Sequence, residues 1–447
     1  MHTRRKAARA LIFATALLAS AAAQPLCRAE ARDGIGGFDG AGISAGEIAG
    51  KTTLEYQEFT FVTGEPVLLK GTLAITKTVK DDKATHAFSF KLNNAARKFQ
   101  LTRDITFETV SYAKANGQTV TETAYTREPS EKIVTDGNTY TMRSLEFTRT
   151  SLIDKKPAVD YYSGNSWYRK RYEVGGGSTT ASSGNYLTVE ATGEFYGFDQ
   201  YWGAADVEST EFVIEYTQAA SSGAGGAGGG AGGTGGAGGA GGSGAPESWS
   251  GTATVQRSQS KITELRYVEN EPNAISFRGG FLETRRNDNV LEYTARLPEF
   301  TAAGISTDRL KRYSDSLQIS TFPSTLRLVS PDLRQIRGHW AEEPDSKLFG
   351  LEIFTARPSQ FMPEQYVTRA EFASAMVAAA KPVPADPLVR VTNARASSAS
   401  RRREEPVPIF ADVPAAHENF AAIEESFNRG LMTPLSGNEF SPNAGIS

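Results

Sequence analysis

The sequence predicts a multidomain protein, with a mostly β, sandwich-like region followed by small α-helical repeats. Three observations carry that prediction. Residues from about Thr52 to Tyr216 are rich in Thr, Tyr, Phe and Val with period-two stretches, a composition that suits a pleated, half-buried surface. A tract of almost pure Gly and Ala, 219–247, interrupts the β-rich sequence. Beyond Leu333 the apolar spacing shifts towards that of helices.

At 447 residues and 39% hydrophobic content the chain is long enough for two or three domains with a sizeable buried core. Its formal net charge of -3 is nearly balanced, which argues against a nucleic-acid partner or a strongly basic face for anionic lipid.

The first element, 1–31, reads as a secretory signal. Arg4, Arg5, Lys6 and Arg9 precede an apolar run from Ala10 to Ala23 that is too short to span a bilayer comfortably, and small residues follow. Cleavage after Ala23 or nearer Ala31 fits equally. The expectation is a secreted protein with no integral membrane segment after cleavage. Cys27, the only cysteine, lies at this boundary, and Gln24-Pro25-Leu26 lacks the small residue that a lipoprotein signal needs before its cysteine. A mature chain without it has no disulfides and must rely on burial and hydrogen bonding.

The second element is a β-rich region, 32–218. Turn chemistry places two hairpins in it, at Asn116-Gly117 between runs holding Phe107 and Val120, and at Asp136-Gly137 between Ile133-Val134 and Tyr140. From Ala219 to Ala245 this tract has no Pro to stiffen it and no strict three-residue glycine period, so it reads as a flexible tether; roughly 25 such residues span about 25 to 30 Å. A second β-rich region, 248–330, follows. Phe61-Val-Thr-Gly-Glu-Pro66 with Lys70-Gly71 resembles Tyr267-Val-Glu-Asn-Glu-Pro272 with Arg278-Gly279. That internal likeness favours two β units joined by the tether, with one β domain carrying the tract as an insertion close behind.

The remaining elements are a helical repeat at 331–380, a Pro-, Ala- and Arg-rich linker at 381–408, and an incomplete second repeat at 409–447. In the first, Thr368 is placed to cap a helix while Glu371, three residues on, reaches back to the cap amide. Phe372, Met376 and Val377 share one face of that helix, and Trp340, Leu348 and Leu351 give the preceding helix an apolar face, so the two are expected to pack together. Arg369 is placed against the macrodipole in the first turn, where a bound anion would explain it.

Gly338-His339-Trp340-Ala341, Leu348, Ile353, Phe361-Met-Pro363 and Val367-Thr-Arg-Ala-Glu-Phe372 together resemble one S-layer homology repeat. A second match runs from Phe410-Ala-Asp-Val-Pro414 through His417, Ile423 and Gly430-Leu431 to Phe440-Ser-Pro442 and Ile446-Ser447. The resemblance implies non-covalent anchoring on the cell wall or S-layer through a secondary cell-wall polysaccharide, often pyruvylated. By it, Arg369 pairs with the ketal carboxylate, Trp340 stacks on a sugar face, Gly338 keeps the approach open, and Asp412 complements Arg369 across the repeat boundary. Thr368 and Glu371 are structural. The chain departs from the family pattern at Gln335, where the family has Asp, at Glu352 and Ala356, where it has Gly, and at Glu418, where it has Trp. Pro344 falls inside the first helix, close enough to its start to be tolerated.

Signals for catalysis are weak in the sequence. Its four histidines show no metal-ligand spacing, and the Gly-rich tract lacks the Lys and flanking strand that a phosphate loop requires. The expectation is a non-enzymatic protein with no catalytic residues, metal or cofactor. The alternative is a wall-anchored glycan binder or polysaccharide hydrolase acting through the β-rich region, where Tyr161, Tyr162, Trp167, Tyr168, Tyr172, Phe195, Tyr196, Phe198, Tyr201 and Trp202 would form a sugar-stacking platform. Core packing is the plainer reading of that cluster.

Overall fold

The computed structural model describes residues 41–44, 53–80, 83–114, 116–176, 184–218, 248–268, 280–301, 305–320, 323–328, 332–354, 361–382, 389–391 and 408–446. The expected signal, the Gly/Ala tract and most of the 381–408 linker lie outside the described residues.

The chain is mostly β. In order come β1 (Gly42–Ser44), β2 (Thr53–Thr60), β3 (Val67–Lys80), β4 (Lys83–Asn94) and β5 (Phe99–Ala113). β6 (Thr119–Tyr125), β7 (Ser130–Val134), β8 (Asn138–Lys155), β9 (Val159–Gly176), β10 (Asn185–Gln200) and β11 (Gly203–Thr217) follow. Beyond the Gly/Ala tract lie β12 (Ser248–Val268), β13 (Gly280–Phe300), β14 (Ser306–Ser320) and β15 (Ser324–Arg327). All belong to one sheet, in which nearly every strand pairs antiparallel with the next; β6 and β7 share the place between β5 and β8.

Both hairpins form where the turn residues place them. Gly117 takes φ +81° as the Lys114 amide donates to the Gln118 carbonyl at 2.7 Å, and the Thr135 amide donates to the Asn138 carbonyl at 2.8 Å.

One expectation about the sheet is corrected. The β-rich stretches on either side of the Gly/Ala tract do not make separate sheets: β11 and β12 are neighbours, paired from Gly203↔Ile262 to Thr217↔Ser248. Loop-closure entropy rises only slowly with loop length, so a long tract joins adjacent strands at small extra cost. The sheet's two ends meet, closing it barrel-like, where Asn289 of β13 donates to the Ser44 carbonyl of β1 at 2.7 Å and the rings of Phe59 and Tyr293 lie 4.5 Å apart.

Period-two alternation fills this barrel. On β8, Leu145, Phe147, Arg149, Ser151 and Ile153 are buried while Glu146, Thr148 and Thr150 face out. A bulge between Met142 and Ser144 absorbs an extra residue and keeps Met142 and Leu145 on the same face. Exposed positions on the neighbouring strands include Asn165, Arg169, Thr192, Glu194, Glu211 and Glu215, with Tyr161, Tyr196 and Val213 also facing out. Among the described residues no helix is long and apolar enough to cross a membrane.

Strict up-and-down order puts the β5–β6, β8–β9, β10–β11 and β12–β13 connections at one end of the barrel. The β2–β3 turn and the facing strand ends Gly176 and Asn185, Thr217 and Ser248, and Phe300 and Ser306 lie at the other.

Three short helices follow: α1 (Glu342–Gly350), α2 (Arg369–Ala380) and α3 (Phe420–Asn428). The expected pairing of α1 with α2 is not what forms. The residues of α2 that are buried are Ala370 and Ala373, packed with Phe410, Val413, Ile423 and Phe440 of the next unit, while Phe372 is 39% exposed. The alanines let α2 approach α3 closely, a contact the larger Phe372 side chain would hold apart. The core of the first unit is Leu333, Ile336 and Phe349 with Phe354 and Phe361; Trp340 is not part of it.

Candidate functional site

The two helical units repeat one another bond for bond. In the first, the amides of Leu351, Glu352 and Ile353 donate to the carbonyls of Lys347, Phe349 and Leu348; in the second, those of Arg429, Gly430 and Leu431 donate to Glu425, Phe427 and Ser426. His339 Nδ1 accepts from the Ala341 amide at 3.2 Å, and His417 Nδ1 accepts from that of Asn419 at 3.1 Å. Glu352 takes φ +60° where Gly430 takes φ +68°, so a glutamate stands at a left-handed position that the second unit gives to glycine.

The α2 N-terminus forms the expected capping box. Thr368 Oγ1 accepts from the Glu371 amide at 3.2 Å, and Glu371 Oε2 accepts from the Thr368 amide at 2.8 Å. The next two amides are taken as well, Arg369 by the Ala444 carbonyl at 2.8 Å and Ala370 by that of Pro442 at 3.0 Å. A helix start whose donors are all used is not the open anion site that the sequence implied.

Arg369 is likewise engaged within the protein. Its Nε donates to the Phe440 carbonyl at 2.8 Å, its Nη2 to the Thr433 carbonyl at 2.7 Å, and the guanidinium lies 4.8 Å from the centre of the Phe440 ring. These bonds explain a cation in the first turn without a bound anion. Asp412 works on the same residue: its carboxylate accepts from the Phe440 amide at 2.9 Å and the Ser441 amide at 2.6 Å. Partial burial opposes ionisation there, and the two amides outweigh it and hold the carboxyl below its usual range. Arg369 and Asp412 thus both bond the backbone of Phe440.

Trp340 and Gly338 stand apart, at the start of α1. Trp340 is 81% exposed, and its ring centre lies 5.5 Å from that of His339. Because His339 Nδ1 accepts an amide, its Nε2 carries the proton towards Glu364, 2.9 Å away. Gly338 takes φ +78°, and a Cβ built there meets nothing within 4 Å, so the approach to Trp340 is open on that side. Among the described residues no hydrogen bond or ring contact links this pair to Arg369 or Asp412.

The aromatic cluster of the barrel divides between its two faces. Tyr162, Tyr168, Tyr172 and Phe195 are core, whereas Tyr161 and Tyr196 are 51% and 61% exposed. Phe198 pairs directly with Tyr161 across β9 and β10 and leaves ring centres 6.4 Å apart.

The sequence reading missed the charge inside the barrel. Arg103 forms ion pairs with Glu58 and Glu131 at 2.9 and 3.0 Å, and Lys170 and Tyr172 also bond Glu131. Burial alone would raise the Glu131 carboxyl, but Arg103 and Lys170 hold it down at about 2. A second group joins Arg149 to Glu208 at 3.2 Å and Arg257 to Glu208 and Asp206 at 2.6 and 3.2 Å, with the Tyr162 hydroxyl on Asp206. There burial prevails and pushes the Asp206 carboxyl up despite Arg257. The signal was present in the sequence: Arg103 interrupts the stripe Leu101, Ile105, Phe107, and Lys170 the stripe Tyr168, Tyr172, Val174.

No group of His, Cys, Asp and Glu among the described residues is arranged to hold a metal ion. No family model, curated protein or solved structure matches this chain.

Proposed function

We propose that the chain is an exported surface protein held non-covalently on cell-wall polysaccharide by its two helical units, as the S-layer homology resemblance implies. The observation that carries this reading is Trp340, a tryptophan 81% exposed beside the open backbone of Gly338. A flat, unpacked aromatic face beside polar His339 and Glu364 suits stacking on a sugar ring while flanking groups reach its hydroxyls. The second unit, with Glu418 at this position, contributes the docking of Phe440 and not a second sugar face. By the resemblance alone the polymer's pyruvyl carboxylate would meet Arg369, two of whose nitrogens already serve the repeat boundary.

Trp340→Ala is the clean test, because an exposed ring contributes little packing. Binding of the full chain to purified polymer-bearing sacculi should fall at least tenfold with unchanged thermal stability. Unaltered binding would reject Trp340 as the contact.

A second reading is favoured by Tyr161, Phe198 and Tyr196, which line up on the outer face of β9 and β10. It takes the barrel itself as a glycan binder without hydrolysis. Tyr161→Ala with Tyr196→Ala would then weaken retention on a glycan array while leaving sacculus binding intact.

A further inference from the structure

Residues 381–408 have the composition of a linker, which implies that the α2–α3 pair swings freely from the barrel. We infer the opposite: the pair docks on one end of the barrel, and Arg429 is its latch. Arg429 follows α3 directly. Its Nη1 donates to the Lys156 carbonyl in the β8–β9 turn at 2.9 Å and pairs with Asp160 at the start of β9, while its Nε holds Glu425 Oε1 at 2.7 Å. The side chains of Arg429 and Asp160 are 1% and 0% exposed. Removing both charges from water gains little net attraction, yet any slipped arrangement would bury one of them alone, so such a pair selects a single geometry.

Two further contacts reach the same end from other parts of the chain. Lys381, the residue that ends α2, sets its ammonium 4.2 Å from the centre of the Tyr201 ring and 5.8 Å from that of Trp202, in the β10–β11 turn. β16 (Val389–Val391) pairs in parallel with Ser111–Ala113, at the end of β5. The β5–β6, β8–β9 and β10–β11 turns all lie at one barrel end, so three separate stretches of the C-terminal region converge there. The barrel is thereby held at a fixed angle to whatever the helical units bind. The docking is independent of what that partner is.

The test is energy transfer within the full chain, with Cys27→Ser and dyes on cysteines introduced by Glu418→Cys and Glu194→Cys, both exposed positions. One narrow efficiency peak is expected. It should broaden towards lower efficiency in Arg429→Ala or in Asp160→Asn, the second variant keeping the arginine, with strand circular dichroism unchanged. A broad distribution in the parent protein, or a peak unmoved by both variants, would overturn the inference.

Discussion

Arg369 and Asp412 hold opposite sides of one residue: the carboxylate accepts the Phe440 amide while the guanidinium donates to the Phe440 carbonyl. Phe440 is fully buried in the cluster that α2 and α3 share, so this clamp fixes one helical unit on the other. Asp412→Ala leaves two amides without their acceptor and should destabilise the helical pair by about 1–3 kcal/mol. Arg369→Lys should do the same, since one ammonium does not reproduce the paired donation to Phe440 and Thr433. Equilibrium urea denaturation read by probes on α2 checks both.

The cap of α2 is worth testing by itself. Thr368→Ala removes the acceptor of the Glu371 amide and should cost about 1 kcal/mol. Thr368→Ser, which keeps the oxygen, should cost much less in the same denaturation assay.

Comparison of the two units predicts a stabilising change. Glu352 holds φ +60° and Gly430 holds φ +68° at matching positions, and a non-glycine residue there is strained by about 1–2 kcal/mol. Part of that gain is offset by the greater freedom of glycine in the unfolded chain. Glu352→Gly should therefore raise stability by about 0.5–1 kcal/mol, and Gly430→Ala should lower it by a similar amount; thermal midpoints of the two variants should move in opposite directions.

Acid should loosen the barrel through Glu131. Its carboxyl lies at about 2 in the fold against an ordinary 4.5, so its ionised form is stabilised by folding. That contribution is complete above about pH 5 and is lost as pH falls through 4.5 towards 2, a change on the order of 3 kcal/mol. Denaturation midpoints taken between pH 6 and pH 2 should show this loss. Glu131→Gln, which leaves Arg103 and Lys170 short of a partner, should start about 3–5 kcal/mol less stable and show a flatter acid slope.

Local chemistry was legible in the sequence wherever near neighbours decide it. The two hairpin turns and the Thr368–Glu371 box form where their residue types put them, because each depends on residues a few positions apart. Long-range closure was not legible. Nothing near Thr217 or Ser248 states that they pair across the Gly/Ala tract, and nothing near Ser44 states that Asn289 will reach it. The same holds for Arg369, whose partners Thr433 and Phe440 lie more than sixty residues away. Its motif was readable, while its present bonds depend on how one unit seats on the next. Inward charges such as Arg103 were readable as breaks in apolar alternation, but a break alone does not distinguish a paired interior charge from an edge of the sheet.

Anchoring on wall polysaccharide is open to co-sedimentation of the full chain with purified sacculi, before and after chemical removal of the secondary polymer. The chain should pellet with intact sacculi and stay in solution with stripped ones. Equal pelleting with both, or with neither, would rule out anchoring through the polymer.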